Sequence, residues 1–246
     1  MPDGFAVELL PGEQDGLFAD VVCDGATHEP TDEERRAMRD APTLLQVHGP
    51  GGSLAAAIAM LRVGSALIDT GGSGVLVHNS GLGHGAQDWR TLANDPDGGP
   101  HWAFVATVRS DKFDGIDGPS LFTTGMHCLG HRDVVLPATG DDEADWFAIN
   151  NFCGYLERSG RTPVDGDVLT VLAGGTGAEV VSDAGDSDLD FETGDDVSRM
   201  IPMQRVRYAE CRHIPTDSPL HNPYGLYVLL PLDPDDLESY AYRPSR

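Results

Sequence analysis

His127 and His131 stand four residues apart in the run Gly125-Met126-His127-Cys128-Leu129-Gly130-His131-Arg132-Asp133. That spacing places both imidazoles on one face of a helix or of a strand. Cys128 and Asp133 are near in sequence, and His78, His84, His101 or His221 could complete a metal site. Zinc needs three or four convergent ligands, and only the first pair has informative spacing. No His-Glu-x-x-His sequence is present. Histidines beside glycine also serve as turn or core residues bonded to backbone. The same run could instead supply a nucleophile, with Cys128 activated as a thiolate by His127 and His131. A buried structural thiol is the competing reading.

Asp69-Thr70-Gly71, which follows Ala66-Leu67-Ile68, has the form of an aspartic-protease catalytic loop. That chemistry requires two carboxylates sharing a proton, so a single copy implies a homodimer. Leu129-Gly130-His131-Arg132-Asp133 approaches the apolar-Gly-x-Asp element of the retroviral type, with one extra residue before the aspartate. A plain hairpin turn through Gly72-Ser73-Gly74 explains the triplet more simply. Neither a Gly-x-Ser-x-Gly elbow nor a phosphate-binding glycine motif occurs; Gly81-Leu82-Gly83-His84-Gly85 lacks a lysine and a long helix behind it. Asp186, Asp188 and Asp190 open like a calcium loop. Phe191 then stands where glycine must turn the chain, and Val197 where glutamate must close it. A solvated acidic loop follows.

These residues need elements to hold them. Residues 5–10 alternate as a strand, and Thr31 with Glu34 predicts a capping box on a short charged helix. Residues 44–48 read as a buried strand. Ser53 caps a helix on which Leu54, Ile58 and Leu61 repeat, and Gly64 is expected to stop it. Residues 66–70 and 75–79 then flank a glycine turn as a hairpin. A short helix surrounds Trp89. Residues 101–109 alternate as a strand, with Trp102, Phe104, Ala106 and Val108 on one face. Shorter extended pieces cover residues 121–124 and 134–136. The most regular helix starts at Asp141 or Asp142, buries Trp146, Ile149, Cys153 and Leu156, and stops at Gly160. Strands follow at residues 168–172, 204–211 and 226–230. Residues 173–198, with eight acids and no base, read as an exposed acidic loop or insertion, and residues 232–246 as a polar tail. Helices and strands intermix while hairpins recur, so the expected fold is a single α+β domain spanning residues 1–246. It has a mixed, largely antiparallel β-sheet flanked by helices.

The chain has 246 residues, 40% of them apolar, enough for a core without metal or disulfide staples. Its 16 basic and 40 acidic residues leave a charge of −24, and Lys112 is the sole lysine. Such a surface repels phosphate backbones and anionic lipid, which speaks against nucleic-acid and membrane partners and suits a basic protein partner. Solubility at high salt explains it equally well. Cys23, Cys128, Cys153 and Cys211 have no Cys-x-x-Cys spacing and read mostly as buried thiols. No apolar run is long enough to span a membrane, and the first residues lack a basic start, so a cytoplasmic location is expected. No cofactor is implied.

Several stretches together resemble a family of bacterial proteins of unknown function. They are Gly74-Val75-Leu76-Val77-His78-Asn79-Ser80-Gly81, then Trp89, then Thr123-Thr124-Gly125 leading into the histidine run. The helix over residues 147–158, Asp165-Gly166-Asp167 and His221-Asn222-Pro223-Tyr224-Gly225 complete the pattern. The resemblance carries no activity and no residue roles. What it implies is a location: a polar cleft gathering His127, His131, Asp133, His221 and Asn222, framed by glycines. By analogy it also implies an immunity or accessory protein. The expected function is therefore non-enzymatic protein binding. A metal-dependent hydrolase using the segment from His127 to Asp133 is the alternative, and a homodimeric aspartic-protease-like enzyme using Asp69 a further one.

Overall fold

The structure, a computed structural model, describes residues 4–11, 17–95, 98–113, 116–159, 162–172, 178–181, 200–210 and 214–231. The fold class is α+β. The chain divides into two compact units that interleave in sequence.

The first unit comprises Met1–Ala106, Thr123–Arg132 and Ile214–Pro223. Strands β1 (Ala6–Pro11) and β2 (Thr43–His48) pair antiparallel, with Val7 opposite Val47 and Leu9 opposite Leu45. The expected burial of β2 does not occur, because Leu45 and Leu9 are exposed. Between them lie helices α1 (Leu17–Asp24) and α2 (Asp32–Arg39). Thr31 caps α2 in a complete capping box: Glu34 N donates to Thr31 Oγ1, and Thr31 N donates back to Glu34 Oε2. Glu34 also accepts from Gln87 N at 3.0 Å. Gln87 sits in the first turn of α4 (Ala86–Ala93), whose own N-cap, Gly85, has no side chain to offer. One carboxylate thus caps two helices. Partial burial resists its ionisation, but the bonds from Gln87 and Thr31 outweigh that and hold its pKa below the ordinary value.

Helix α3 (Leu54–Asp69) begins at Ser53, whose Oγ accepts from Ala56 N. It does not stop at Gly64. That glycine is a notch: a Cβ there would lie 2.6 Å from Trp89 Nε1. The buried indole lies across α3 and donates to Leu61 O at 3.1 Å. Residues 66–69 therefore continue the helix, and the hairpin forms one element later, from β3 (Gly74–Val77) and β4 (Leu82–Gly85). The glycines of β4 are packing devices, since a Cβ on Gly83 would strike Val22 O in α1. The alternation expected from residue 101 is also corrected. Gly99–Phe104 forms helix α5, with proline in its first turn, and only Ala106–Ser110 becomes strand β5.

The second unit comprises Thr107–Phe122, Asp133–His213 and Tyr224–Arg246. Its seven-stranded sheet adds β6 (Ser120–Thr124), β7 (Asp133–Pro137), β8 (Val168–Leu172), β9 (Ala178–Val181), β10 (Met200–Ala209) and β11 (Leu226–Pro231). The strand order is β5-β6-β7-β11-β10-β8-β9. The β7–β11 pair is parallel, and β6–β7, β10–β11, β10–β8 and β8–β9 are antiparallel. The β10–β8 register shifts between Ile201 and Gln204, across Pro202, which has no N–H for the ladder. Strand β9 replaces part of the acidic loop expected over residues 173–198. The rest of that stretch, including the calcium-like aspartates, lies outside the described residues, as do Gly160, Cys211 and residues 232–246.

Helix α6 (Asp142–Ser159) buries Asp145, Ala148, Ile149, Phe152, Cys153 and Leu156 at helical spacing. Trp146 is not in that stripe and is 47% exposed. The buried Asp145 carboxylate accepts from Thr139 N at 2.8 Å and Thr139 Oγ1 at 2.7 Å. Of the cysteines, Cys153 is buried, whereas Cys23 and Cys128 are half-buried. Burial first, then Glu157 and Asp133, push the Cys153 thiol pKa well up, which suits a structural role. No helix among the described residues is long and apolar enough to cross a membrane.

Candidate functional site

Met126–Leu129 forms one 3-10 turn between two left-handed glycines, Gly125 at φ 98° and Gly130 at φ 89°. Neither position admits a side chain, because a Cβ on Gly125 would strike Phe104 O and one on Gly130 would lie 2.5 Å from Gly52 O. The turn closes on itself through Cys128 N to Gly125 O at 2.9 Å and His131 N to Met126 O at 3.0 Å. Gly52 N donates to Cys128 O at 3.2 Å from outside. Met126 and Leu129 point into the core, and His127 is left half-buried between them and solvent.

Two further stretches of the same unit meet this turn. Asn79, in the β3–β4 connection, places its Nδ2 2.9 Å from His127 Nε2 and donates to Pro219 O at 3.3 Å. Thr124 Oγ1 donates to Ser80 O at 3.3 Å. From the other side, the almost fully buried Asn222 donates through Nδ2 to His131 O at 3.0 Å. His221 Nδ1 donates to Ile214 O at 3.0 Å. Burial and then the neighbouring His221 depress the His127 pKa, which keeps its imidazole neutral.

Four of the five expected cleft residues therefore belong to this cluster: His127 and His221 through their rings, Asn222 through its amide and His131 through its carbonyl. Asp133 belongs to the second unit, where its backbone N–H donates to Gly225 O at 3.3 Å at the start of the β7–β11 ladder. Asn79, which organises the cluster, is absent from the set expected from sequence. Its signal is weak, since the bond to His127 spans 48 residues and joins two turns.

The other histidines go elsewhere. His84 is fully buried, with Nδ1 2.7 Å from Asp88 Oδ2 and Nε2 3.2 Å from Ala103 O. Both nitrogens face acceptors. Asp88 Oδ1 also meets the exposed His28 at 3.1 Å. The His84 bond lowers the Asp88 pKa against the opposing effect of burial, with the charges of His84 and His28 assisting. His78 is exposed, and His101 is buried edge-on to Trp102. Among the described residues, no group of three or more His, Cys, Asp or Glu side chains is placed to hold a metal ion.

Asp69 closes α3 on the surface, where it binds Arg90 Nε at 3.0 Å. It ends a helix, so the strand-borne loop expected around it does not form. Compared with family models, with curated proteins and with solved structures, the chain matches none.

Proposed function

We propose that the protein works by binding a basic protein partner, in the manner of an immunity or accessory protein, with no reaction of its own. The outer stripe of α1 carries this reading. Leu17, Asp20, Val21 and Asp24 recur at helical spacing and all four are exposed, Leu17 at 54% and Val21 at 40%. A partner would bury the apolar pair and set its cations against the two carboxylates. Among the described residues Asp20 is held by Arg39, at 2.8 Å in an exposed ion pair that an incoming guanidinium can replace at little cost. The charge of −24 extends the same preference over the whole chain and accelerates encounter with cations.

Affinity capture from native lysate tests this, using the wild type beside a Leu17→Ala, Asp20→Asn, Asp24→Asn triple variant at low and high salt. Basic proteins retained by the wild type at low salt should be lost in the variant and on adding salt. Identical retention by the two chains, or retention of nothing at low salt, rejects the reading.

One observation favours the alternative of a metal-dependent hydrolase based on the segment from His127 to Asp133, namely that the charge of His221 acts on the His127 ring and helps to lower its pKa. Stoichiometric zinc in the purified chain, lost in a His127→Ala, His221→Ala variant, would select it.

A further inference from the structure

Strands β1 and β2 form a ribbon of two, and among the described residues no third strand joins them. Such a ribbon is marginal in water unless something packs on one of its faces. Its base is anchored at Gly49, where a Cβ would lie 2.5 Å from Phe5 Cε1 and 2.7 Å from Met60 Cε. Further out, one face is open. Alternation puts Val7, Leu9 and Pro11 of β1 on that face with Thr43, Leu45 and Val47 of β2. Leu9 is 67% exposed, Leu45 47% and Val7 37%, and Pro11 and Thr43 are exposed as well. None of the six carries a charge, in a chain of −24, so a basic partner drawn by carboxylates finds no counterpart there. The face has a pattern of its own. Val7 stands opposite Val47 and Leu9 opposite Leu45, so a row of smaller side chains lies beside a row of larger ones. Turned about a twofold axis across the strands, the face fits itself, the leucine row of each copy seating over the valine row of the other. Large on small is how facing layers interdigitate, and a twofold contact requires that the same patch serve both sides.

We propose that the β1–β2 ribbon is a self-association surface, whose uncharged face packs on the same face of a second copy of this chain. The two ribbons stack as a small sandwich. The contact buries no carboxylate, so the repulsion between two chains of −24 acts only at long range and is screened by salt. Six side chains per copy cover less than the roughly 1,200 Å² of a standard interface, which makes this an exchanging dimer, formed at high concentration. The surface is separate from the α1 stripe and needs no basic partner.

Sedimentation equilibrium of the full chain tests the surface, over about 10 µM to about 1 mM at low and at high salt. The expected result is a monomer–dimer equilibrium that tightens about tenfold on adding salt, the reverse of the salt effect on a basic partner. A Leu9→Asn, Leu45→Asn variant should stay monomeric throughout, with the melting temperature of the monomer little changed because both side chains are exposed. Val7→Thr keeps the shape and the strand preference while adding a hydroxyl, and should weaken the dimer about tenfold. It carries the test alone should the double variant unfold. The Leu17→Ala, Asp20→Asn, Asp24→Asn variant should dimerise as the wild type does. A wild type that is monomeric at every concentration in high salt overturns the proposal. So does a dimer that Val7→Thr leaves intact, or one that salt weakens.

Discussion

At the scale of single residues, glycine and the ionisable groups decide most. Gly64 and Gly51 look alike in sequence, yet a Cβ meets the Trp89 indole at Gly64 and nothing within 4 Å at Gly51. Gly64→Ala should therefore destabilise the chain by about 1–3 kcal/mol through overpacking, whereas Gly51→Ala should be near neutral. Urea unfolding midpoints measure both. Sequence alone makes Gly64 a helix stop because glycine's low propensity is local, whereas the ring that needs the notch arrives 25 residues later. The pH dependence is also a residue property. Unfolded His127 takes a proton below its ordinary value of about 6.5, while the folded ring resists it, so the unfolded state binds more protons and stability falls as pH drops through that range. His127→Gln should flatten that slope in unfolding curves taken at about pH 7.5 and about pH 5.5. Asp88 acts in a separate window. Its depressed pKa contributes stability that is present above the ordinary carboxylate value, about pH 4, and lost as pH falls towards the lower folded value. Asp88→Asn should remove that acid-side loss in the same assay.

Capping and packing act on whole elements. Thr31→Ala removes one cap from α2 and should cost about 1 kcal/mol. Glu34→Ala removes the reciprocal bond and the acceptor for Gln87 N as well, so about 2 kcal/mol is expected. Equal losses in chemical denaturation would mean that α4 does not depend on α2 for its start. The α2 box was legible because all its atoms lie within four residues, and the Ser53 cap for the same reason. The α4 cap was not legible, since its acceptor lies 53 residues away. The alternation read over residues 101–109 failed because Trp102 and Phe104 belong to a helix opened by Gly99 and Pro100, a signal stronger than short-range periodicity. In the candidate site, the glycine frame and the histidines could be read directly. The partition of Asp133 from His127 could not, because it follows from which ladder each strand joins.

For the molecule as a whole, charge is the dominant variable. Forty acidic residues against 16 basic ones repel one another in the compact state. Added salt should raise the melting temperature by screening that repulsion, and differential scanning calorimetry across a salt series measures it. A melting temperature indifferent to salt would mean that the acids are locally neutralised. The mixed sheet was legible in outline, since β8 matches its expected bounds and β11 differs by one residue. Its division from a second unit was not, because the chain changes unit after residues 106, 122, 132, 213 and 223.

That interleaving bears on how the polypeptide comes into being. The first unit draws Ile214–Pro223 from far beyond its preceding stretch, Thr123–Arg132, and Asn222 there ties down the His127 turn. A ribosome making the protein must therefore leave that unit unfinished until Ile214–Pro223 has emerged, and no early release of a matured half is open to it. Until then the β1–β2 strands and the exposed Leu17 and Val21 of α1 wait within an incomplete unit, open to any nascent-chain guardian.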